Sequence, residues 1–197
     1  MLVREVMSSP VITLRSGEAV REAIRVLYAN NITAAPVLGD HGELVGIASE
    51  MDLLCGAFLP DPRASARPLV DSEEPAPRHV ADVMSREVVT VSETTDIALL
   101  IDLLVAKRIK SVPVLRDGEL VGMVSRRDLI GMLARSDTAL RAAVMSALRE
   151  QYPSGPSWGV TVHEGEVVLH GHAGERIDRI ADLLTRTVPG VSRVRHV

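Results

Sequence analysis

Two Ser-x-x-Asp quartets carry the residue types in this chain best suited to holding a small polar ligand. They are Ser49-Glu50-Met51-Asp52 and Ser125-Arg126-Arg127-Asp128. In front of a helix such a quartet is a capping box: the serine hydroxyl accepts a backbone N–H, and the acid three residues on reaches back. The same geometry can serve a ligand. Outward-pointing N–H groups at a helix start attract phosphate, and an aspartate carboxylate can accept both hydroxyls of a ribose. Capping and binding can coexist. Charge separates the two copies. Arg126, with Lys110 a little upstream, supplies phosphate donors, whereas Glu50 repels a phosphate. The second quartet is expected to be the better anion site and the first weak or vacant. For Arg126 and Arg127 the alternative is a solvated helix face.

Other chemistry is thinner. His170-Gly171-His172 places two imidazoles at i, i+2. Zinc would need a third or fourth ligand, and the nearby candidate is His163, at a hairpin turn. A wet strand face is the preferred reading, with no metal expected. Trp158 and Tyr152, among Pro153, Gly155 and Pro156, either form a sticky or membrane-facing edge or, as preferred, cover one end of a small core. Cys55 follows an apolar helix with no basic partner and reads as a structural thiol. No phosphate loop, nucleophile elbow or His-Glu-x-x-His stretch is present, so no catalytic residue is assigned and an enzyme is not expected.

The elements that must position these residues occur twice. Val6-Met7 recurs as Val83-Met84, Pro36-Val37-Leu38 as Pro113-Val114-Leu115, and Gly42-Glu43-Leu44-Val45-Gly46 as Gly118-Glu119-Leu120-Val121-Gly122. The order is kept, with one residue lost where Asp40-His41-Gly42 shortens to Asp117-Gly118. This marks a duplicated supersecondary unit and predicts a pseudo-twofold module with a cleft between the copies. Each copy reads β-α-β-β-α. An extended entry (Val11 to Leu14; Val88 to Val91) leads to a helix with Val20, Ala23, Ile24 and Leu27, or Ile97, Leu100, Ile101 and Leu104, at helical spacing. A hairpin follows, then a helix starting at Ser49 or Ser125. The second copy's first helix also carries Leu99, Leu103 and Val105. Apolar nearly all round, it is expected to be covered on more than one side, by the sister repeat or by a second subunit.

The last sixty or so residues do not repeat. Leu140, Val144 and Leu148 stripe a helix. Val160/Val162 and Val167/Leu169 flank a turn at Glu164-Gly165, and Ile177, Ile180 and Leu184 stripe a second helix. A strand over 191–197 closes an α-β-β-α-β unit. The expected organisation is repeat 1 over 1–58, a Pro-rich acidic connector over 59–78 (Pro60, Pro62, Pro68, Pro75, Pro77, with Asp71 to Glu74), repeat 2 over 79–135 and the small unit over 138–197. The class is α/β in the mixed α+β sense.

Composition narrows the partners. Of 197 residues 46% are apolar, yet the aromatic residues are limited to Tyr28, Phe58, Tyr152 and Trp158, so the core is aliphatic and stacking platforms for single-stranded nucleic acid are missing. The net charge is −4 and no segment carries the basic excess of a DNA footprint. One cysteine excludes an internal disulfide framework. The N-terminus lacks a signal-peptide pattern and no apolar run approaches a membrane span, so a cytoplasmic location is expected.

On these motifs the duplicated unit resembles the CBS domain, and the pair resembles a Bateman module. The Val-Met opening, the Pro-Val-Leu strand and the Gly-x-x-Ser-x-x-Asp-Leu ending (Gly46 to Leu53; Gly122 to Leu129) carry the likeness over about residues 2–134. The C-terminal unit resembles a BON domain through Gly165-x-Val167-x-Leu169-x-Gly171 and Val188-Pro189-Gly190-Val191-x-x-Val194. The resemblance implies a regulatory module without an obligatory cofactor. AMP, ADP, ATP or a related adenosyl ligand would bind in clefts between repeats, and two modules would pair into a homodimer through the CBS helices. BON domains are associated with membrane, ligand or protein attachment. It also implies the binding set Thr90, Lys110, Ser111, Val112, Pro113, Ser125, Arg126 and Asp128, with Thr13, Ala35, Pro36, Ser49 and Asp52 as weaker counterparts. Thr13 and Thr90 would lie near the base, and Ala35 and Val112 would wall an adenine slot. As plain residues these four are equally ordinary strand and core positions. A ligand-free dimerisation scaffold, whose BON-like unit binds an unidentified protein, is the alternative. Membrane attachment through that unit is weaker, because its charge is balanced and it holds one tryptophan.

Overall fold

The structure, a computed structural model, describes residues 1–55, Arg63 and residues 77–197. The expected connector, including Pro60, Pro62, Pro68, Pro75 and Asp71 to Glu74, lies almost wholly outside the described residues. Two compact units emerge, and they cut across the sequence repeats. One comprises Ser9–Val91 and Val112–Gly122; the other comprises Met1–Ser8, Ser92–Ser111 and Met123–Val197.

In the first unit, β1 (Leu14–Arg15), α1 (Val20–Ala29), β2 (Ala34–Leu38), β3 (Leu44–Ser49) and α2 (Glu50–Leu54) give the predicted β-α-β-β-α order. β1 runs parallel to β2, and β2 antiparallel to β3. The entry strand is shorter than expected. The ladder holds only Leu14 and Arg15, opposite Val37 and Leu38, so Thr13 stands just before it. Val20, Ala23 and Leu27 of α1 are buried with Ala35, Val37, Ala48 and Leu53, the stripe that helical spacing predicts. α1 stops at Asn30, followed by Asn31 at φ 52°, a left-handed turn that asparagine tolerates.

The second copy follows the same order: β4 (Val91–Ser92), α4 (Ile97–Lys107), β5 (Ser111–Arg116), β6 (Glu119–Ser125) and α5 (Arg126–Leu133), preceded by the short α3 (Val80–Val83). Its three strands form one sheet in the order β4-β5-β6. The shortened turn has Asp117 at φ 51° and Gly118 at φ 88°, two consecutive positive values of the kind that close a two-residue hairpin. On α4, Ile97, Leu100 and Leu104 are buried, whereas Leu99, Ile101 and Val105 are 63%, 41% and 71% exposed. Among the described residues nothing covers them.

The opening segments of the repeats are exchanged. Val80 and Met84 of the second sequence repeat are buried in the first repeat's core, fixed by Val80 N to Glu18 O, Ala81 N to Ser16 O and a reciprocal Ile47/Ser85 pair, all at 2.9 Å. Asp82 accepts the backbone N–H groups of His79 and Arg78, in that order of weight, which holds its carboxyl below the usual range. In the other unit the chain's first residues do the same: Val3 N donates to Thr95 O, Arg4 N to Glu93 O, and Ser8 pairs with Met123. Gly46 marks how close this approach is. A Cβ there would lie 2.6 Å from Met84 Sδ and 3.0 Å from Ser85 O.

The C-terminal domain comprises α6 (Asp137–Gln151), β7 (Gly159–His163), β8 (Glu166–His170), α7 (Glu175–Thr187) and β9 (Arg193–His196), in the predicted order. β7 and β8 are antiparallel; β9 adds parallel to β8. Glu164 and Gly165 turn the hairpin at φ 49° and 77°. Asp137, at the start of α6, accepts both of their N–H groups, at 2.9 and 3.1 Å. Leu140, Val144 and Leu148 are buried as the stripe predicts. The face of α7 is rotated from expectation. Ala181 and Thr185 are fully buried and Ile180 faces outward, because small side chains let the helix approach the sheet; Thr185 satisfies its hydroxyl on Ala181 O. Trp158 is 7% exposed, packs edge-on against Tyr152 and donates to Asp178. It belongs to the core and not to a membrane-facing edge. Among the described residues no helix is long and apolar enough to cross a membrane.

Candidate functional site

Both Ser-x-x-Asp quartets fold as capping boxes, built alike. Asp52 Oδ2 accepts Ser49 N at 2.8 Å and Ser49 Oγ at 2.7 Å, and Asp52 N donates back to Ser49 Oγ at 3.3 Å. The second copy repeats this at 2.7, 2.7 and 3.4 Å. In each, Oδ2 does all the capping, and Oδ1 accepts no hydrogen bond among the described residues. The cap therefore orients the carboxylate and leaves one oxygen to receive a donor such as a hydroxyl. The serines and aspartates are half-buried, accessible yet held by the fold.

One backbone bond in each copy ties this turn to the strand before it. Glu50 N donates to Thr33 O and Arg126 N donates to Lys110 O, both at 2.9 Å. Lys110, Ser111, Ser125, Arg126 and Asp128 are thereby gathered at the start of α5. Arg126 is anchored by Nε to Ile109 O at 2.9 Å, and its terminal nitrogens make no bond to described residues. In the first copy the matching positions hold Thr33, Ala34 and Glu50. There β2 brings Ala35 and Pro36 beside Ser49's strand, with Ala34 opposite Ser49 and Ala35 opposite Ala48. Ala35, Pro36, Val112 and Pro113 are buried, and Ala35 and Val112 belong to the aliphatic core. Thr13 and Thr90 are half-buried, one residue ahead of β1 and β4.

The histidines are arranged differently from the i, i+2 expectation. β8 ends at His170, whose Nε2 is 2.9 Å from Thr161 Oγ1, and Gly171 at φ 110° turns the chain away. His172 leaves the strand and stacks on His196 of β9, ring centroids 5.3 Å apart and 8° from parallel. His163 stays at the far end of its hairpin. Asp178 Oδ1 accepts Ala173 N at 2.9 Å and Trp158 Nε1 at 3.1 Å. The Ala173 bond leads in holding its carboxyl below the usual value, against burial, which acts the other way. Burial pulls His196 down, but the Gly171 carbonyl and the carboxylates of Asp182 and Asp178 outweigh it and raise the imidazole above its ordinary value. Sequence reasoning misses His196, Asp178 and Asp182. The available signal is the i, i+4 spacing of the two aspartates on one helix face. Cys55, expected to be structural, is exposed at the end of α2.

A duplicated three-stranded α/β repeat with paired capping boxes, followed by a small α-β-β-α-β domain, defines a tandem-repeat module with an appended domain. The CBS domain model matches residues 3–55 and 80–135, and the BON domain model matches residues 136–197. The chain belongs to the CBS-domain family, as a tandem pair followed by a BON domain. It is 32% identical over 154 residues to the uncharacterised protein MJ1426 of Methanocaldococcus jannaschii, over 68% of this chain and 91% of that one. It is 27% identical over 198 residues to human 5'-AMP-activated protein kinase subunit gamma-3, over 95% of this chain but 37% of that longer protein. Among solved structures, it is similar to the CBS domain pair of protein MJ0100 in complex with 5'-methylthioadenosine and S-adenosyl-L-methionine. That likeness has a TM-score of 0.55 and 26% identity, over 67% of this chain and 94% of that one.

Proposed function

We propose that this protein is a non-catalytic cytoplasmic sensor that takes an adenosyl ligand, an adenine nucleotide foremost, at the start of α5. The observation that carries this reading is Oδ1 of Asp128, which accepts no hydrogen bond among the described residues and is held by its cap two positions from Arg126. The carboxylate oxygen suits ribose hydroxyls, and the guanidinium with the Lys110 ammonium suits a phosphate or carboxylate tail. The complex of the similar MJ0100 pair with two adenosyl compounds supports the ligand class.

The output runs through α5 into the BON domain. α5 has eight residues, about 12 Å of helix, with the binding aspartate in its first turn. Just past its far end Arg135 Nη1 donates to Pro189 O at 2.8 Å. A Cβ on Gly190 would lie 2.9 Å from Met132 O and 2.7 Å from Leu140 Cδ2. A ligand that shifts the start of α5 therefore bears directly on the turn before β9. It does so only if it binds one arrangement better than the other. Leu99, Ile101 and Val105 of α4, with Ile130 and Leu133 of α5 at 66% and 63% exposure, supply the apolar face for a homodimer. Sedimentation equilibrium showing only monomer at micromolar concentration removes the dimer.

The test is a thermal-shift panel with AMP, ADP, ATP, NAD, S-adenosylmethionine and cyclic di-AMP on the wild type. One adenosyl ligand should stabilise the protein. No shift across the panel overturns the sensor in favour of the ligand-free scaffold, which the exposed apolar face of α4 favours.

A further inference from the structure

The geometry points to a divalent-metal site in the BON domain, with His172, Asp178 and His196 as ligands for an ion of the zinc class. The exit of β8 and the first turn of α7, six residues apart, meet the end of β9 there. One ligand atom from each residue lies within 4.8 Å of the others. His196 and Asp178 have side chains only 12% and 13% exposed, while His172 is 73% exposed.

The Asp178 carboxylate and the His196 ring are each held in place by hydrogen bonds. Asp178 Oδ1 is taken by Ala173 N and Trp158 Nε1, which fixes the carboxylate and turns Oδ2 toward His172 Nδ1, 3.3 Å away. His196 Nδ1 lies 2.9 Å from Asp182 Oδ1. With a metal bound, that carboxylate–histidine pairing would keep the proton on Nδ1 and leave Nε2 as the lone-pair donor. Nε2 donates to the Gly171 carbonyl at 2.6 Å and lies 3.7 Å from Asp178 Oδ1. A metal ion at this point would take the place of the Nε2 proton, between the imidazole and the Asp178 carboxylate. The parallel stack of two imidazoles places a second nitrogen donor beside this point. Zinc–nitrogen bonds of about 2.0–2.1 Å need donor atoms closer than the present spread. The exposed His172 ring is the member free to swing inward. Two imidazoles and one carboxylate select zinc, nickel or cobalt over magnesium or calcium, which favour all-oxygen shells. A bound ion would clasp β9 to α7, on the domain that α5 contacts.

Isothermal titration of ZnCl2 into the chelator-treated 197-residue chain, with MgCl2 alongside, tests this. The expected result is one zinc per chain with micromolar or tighter affinity, a rise in melting temperature with zinc, and none with magnesium. His172→Ala, at an exposed position that leaves the core intact, should weaken zinc at least tenfold. Asp182→Asn should weaken it about 10- to 100-fold through the orientation of His196. The double variant His163→Ala/His170→Ala should bind as wild type. Co2+ should give the visible absorption of a four- or five-coordinate nitrogen–oxygen site, lost in His172→Ala. Zinc binding that survives His172→Ala or vanishes in the His163/His170 variant overturns the site. So does an absence of stoichiometric binding, which would leave a proton as the cation between His196 and its acceptors.

Discussion

At the start of α2 and of α5 the two repeats build the same turn from different side chains. Backbone and cap are superimposable in their bonding: the Ser-to-Asp hydrogen bonds agree to 0.1 Å, and the Thr33 and Lys110 carbonyls each accept the next helix's first N–H at 2.9 Å. Around that shared frame the first copy places Glu50 and Met51, the second Arg126 and Arg127. Capping depends on Ser and Asp alone, so a duplicated module can change which end attracts an anion without losing a helix. Folding constrains two residues of the quartet. The two between them are free to differ in charge.

The largest expected difference between the copies is in ligand response. At about a hundred times its dissociation constant, a ligand adds roughly 2.7 kcal/mol to stability. Asp128→Ala should abolish that gain and Asp52→Ala should leave it, although each loses a similar cap contribution of about 1 kcal/mol. Thermal shift with and without ligand separates the two effects. A response that survives Asp128→Ala, or that both variants lose equally, breaks the asymmetry.

Next in size is the exchange of opening segments. Gly46→Ala would set a methyl group 3.0 Å from the Ser85 carbonyl, and backbone cannot rotate out of the way as a side chain can. Overpacking of this kind costs about 1–3 kcal/mol, readable as a lower denaturant midpoint. An unchanged midpoint would mean that residues 77–85 hold the first repeat only loosely.

The charge swap is a finer probe. Arg126→Glu gives the second copy the first copy's residue, and an anionic adenosyl ligand should bind about tenfold more weakly, roughly 1.4 kcal/mol. Adenosine, which lacks the phosphate, should lose much less. An equal loss for both ligands would place Arg126 outside the anion's reach.

Much of the fold and the frame of the site are legible in the amino-acid sequence. The repeat, its element order, the caps at Ser49 and Ser125 and the Glu164-Gly165 turn all follow from local patterns, because capping and tight turns depend on a few adjacent residues. What long-range pairing decides is not legible there. Nothing in Val80 or Met84 says that they complete the other repeat's core, since an apolar pair serves any apolar surface equally. The face of α7 departs from the stripe because stripes count large residues, whereas Ala181 and Thr185 are buried for being small. The His172–His196 stack depends on β9 lying parallel to β8, a pairing between segments more than twenty residues apart.

The smallest predicted effect concerns the helices that open each repeat. Asp96 caps α4, accepting Ala98 N at 2.8 Å, from a backbone at φ −70°, ψ 140°. Its counterpart Ala19 has the same conformation, φ −67°, ψ 138°, with no side-chain cap, and it is exposed. Ala19→Asp should therefore fall into the capping geometry without strain, accept Arg21 N as Asp96 accepts Ala98 N, and place a negative charge at the positive end of α1. Replacing alanine with a good cap contributes about 0.5–1 kcal/mol, a melting-temperature rise of roughly 1–4 °C in a chain of this size. Asp96→Ala should lose at least as much, because Asp96 also lies 3.5 Å from the N-terminal ammonium. If Ala19→Asp leaves the melting temperature unchanged while Asp96→Ala lowers it, the N–H groups opening α1 are already satisfied in the native state. The two repeats would then differ in how their first helices are closed as well as in what their last helices hold.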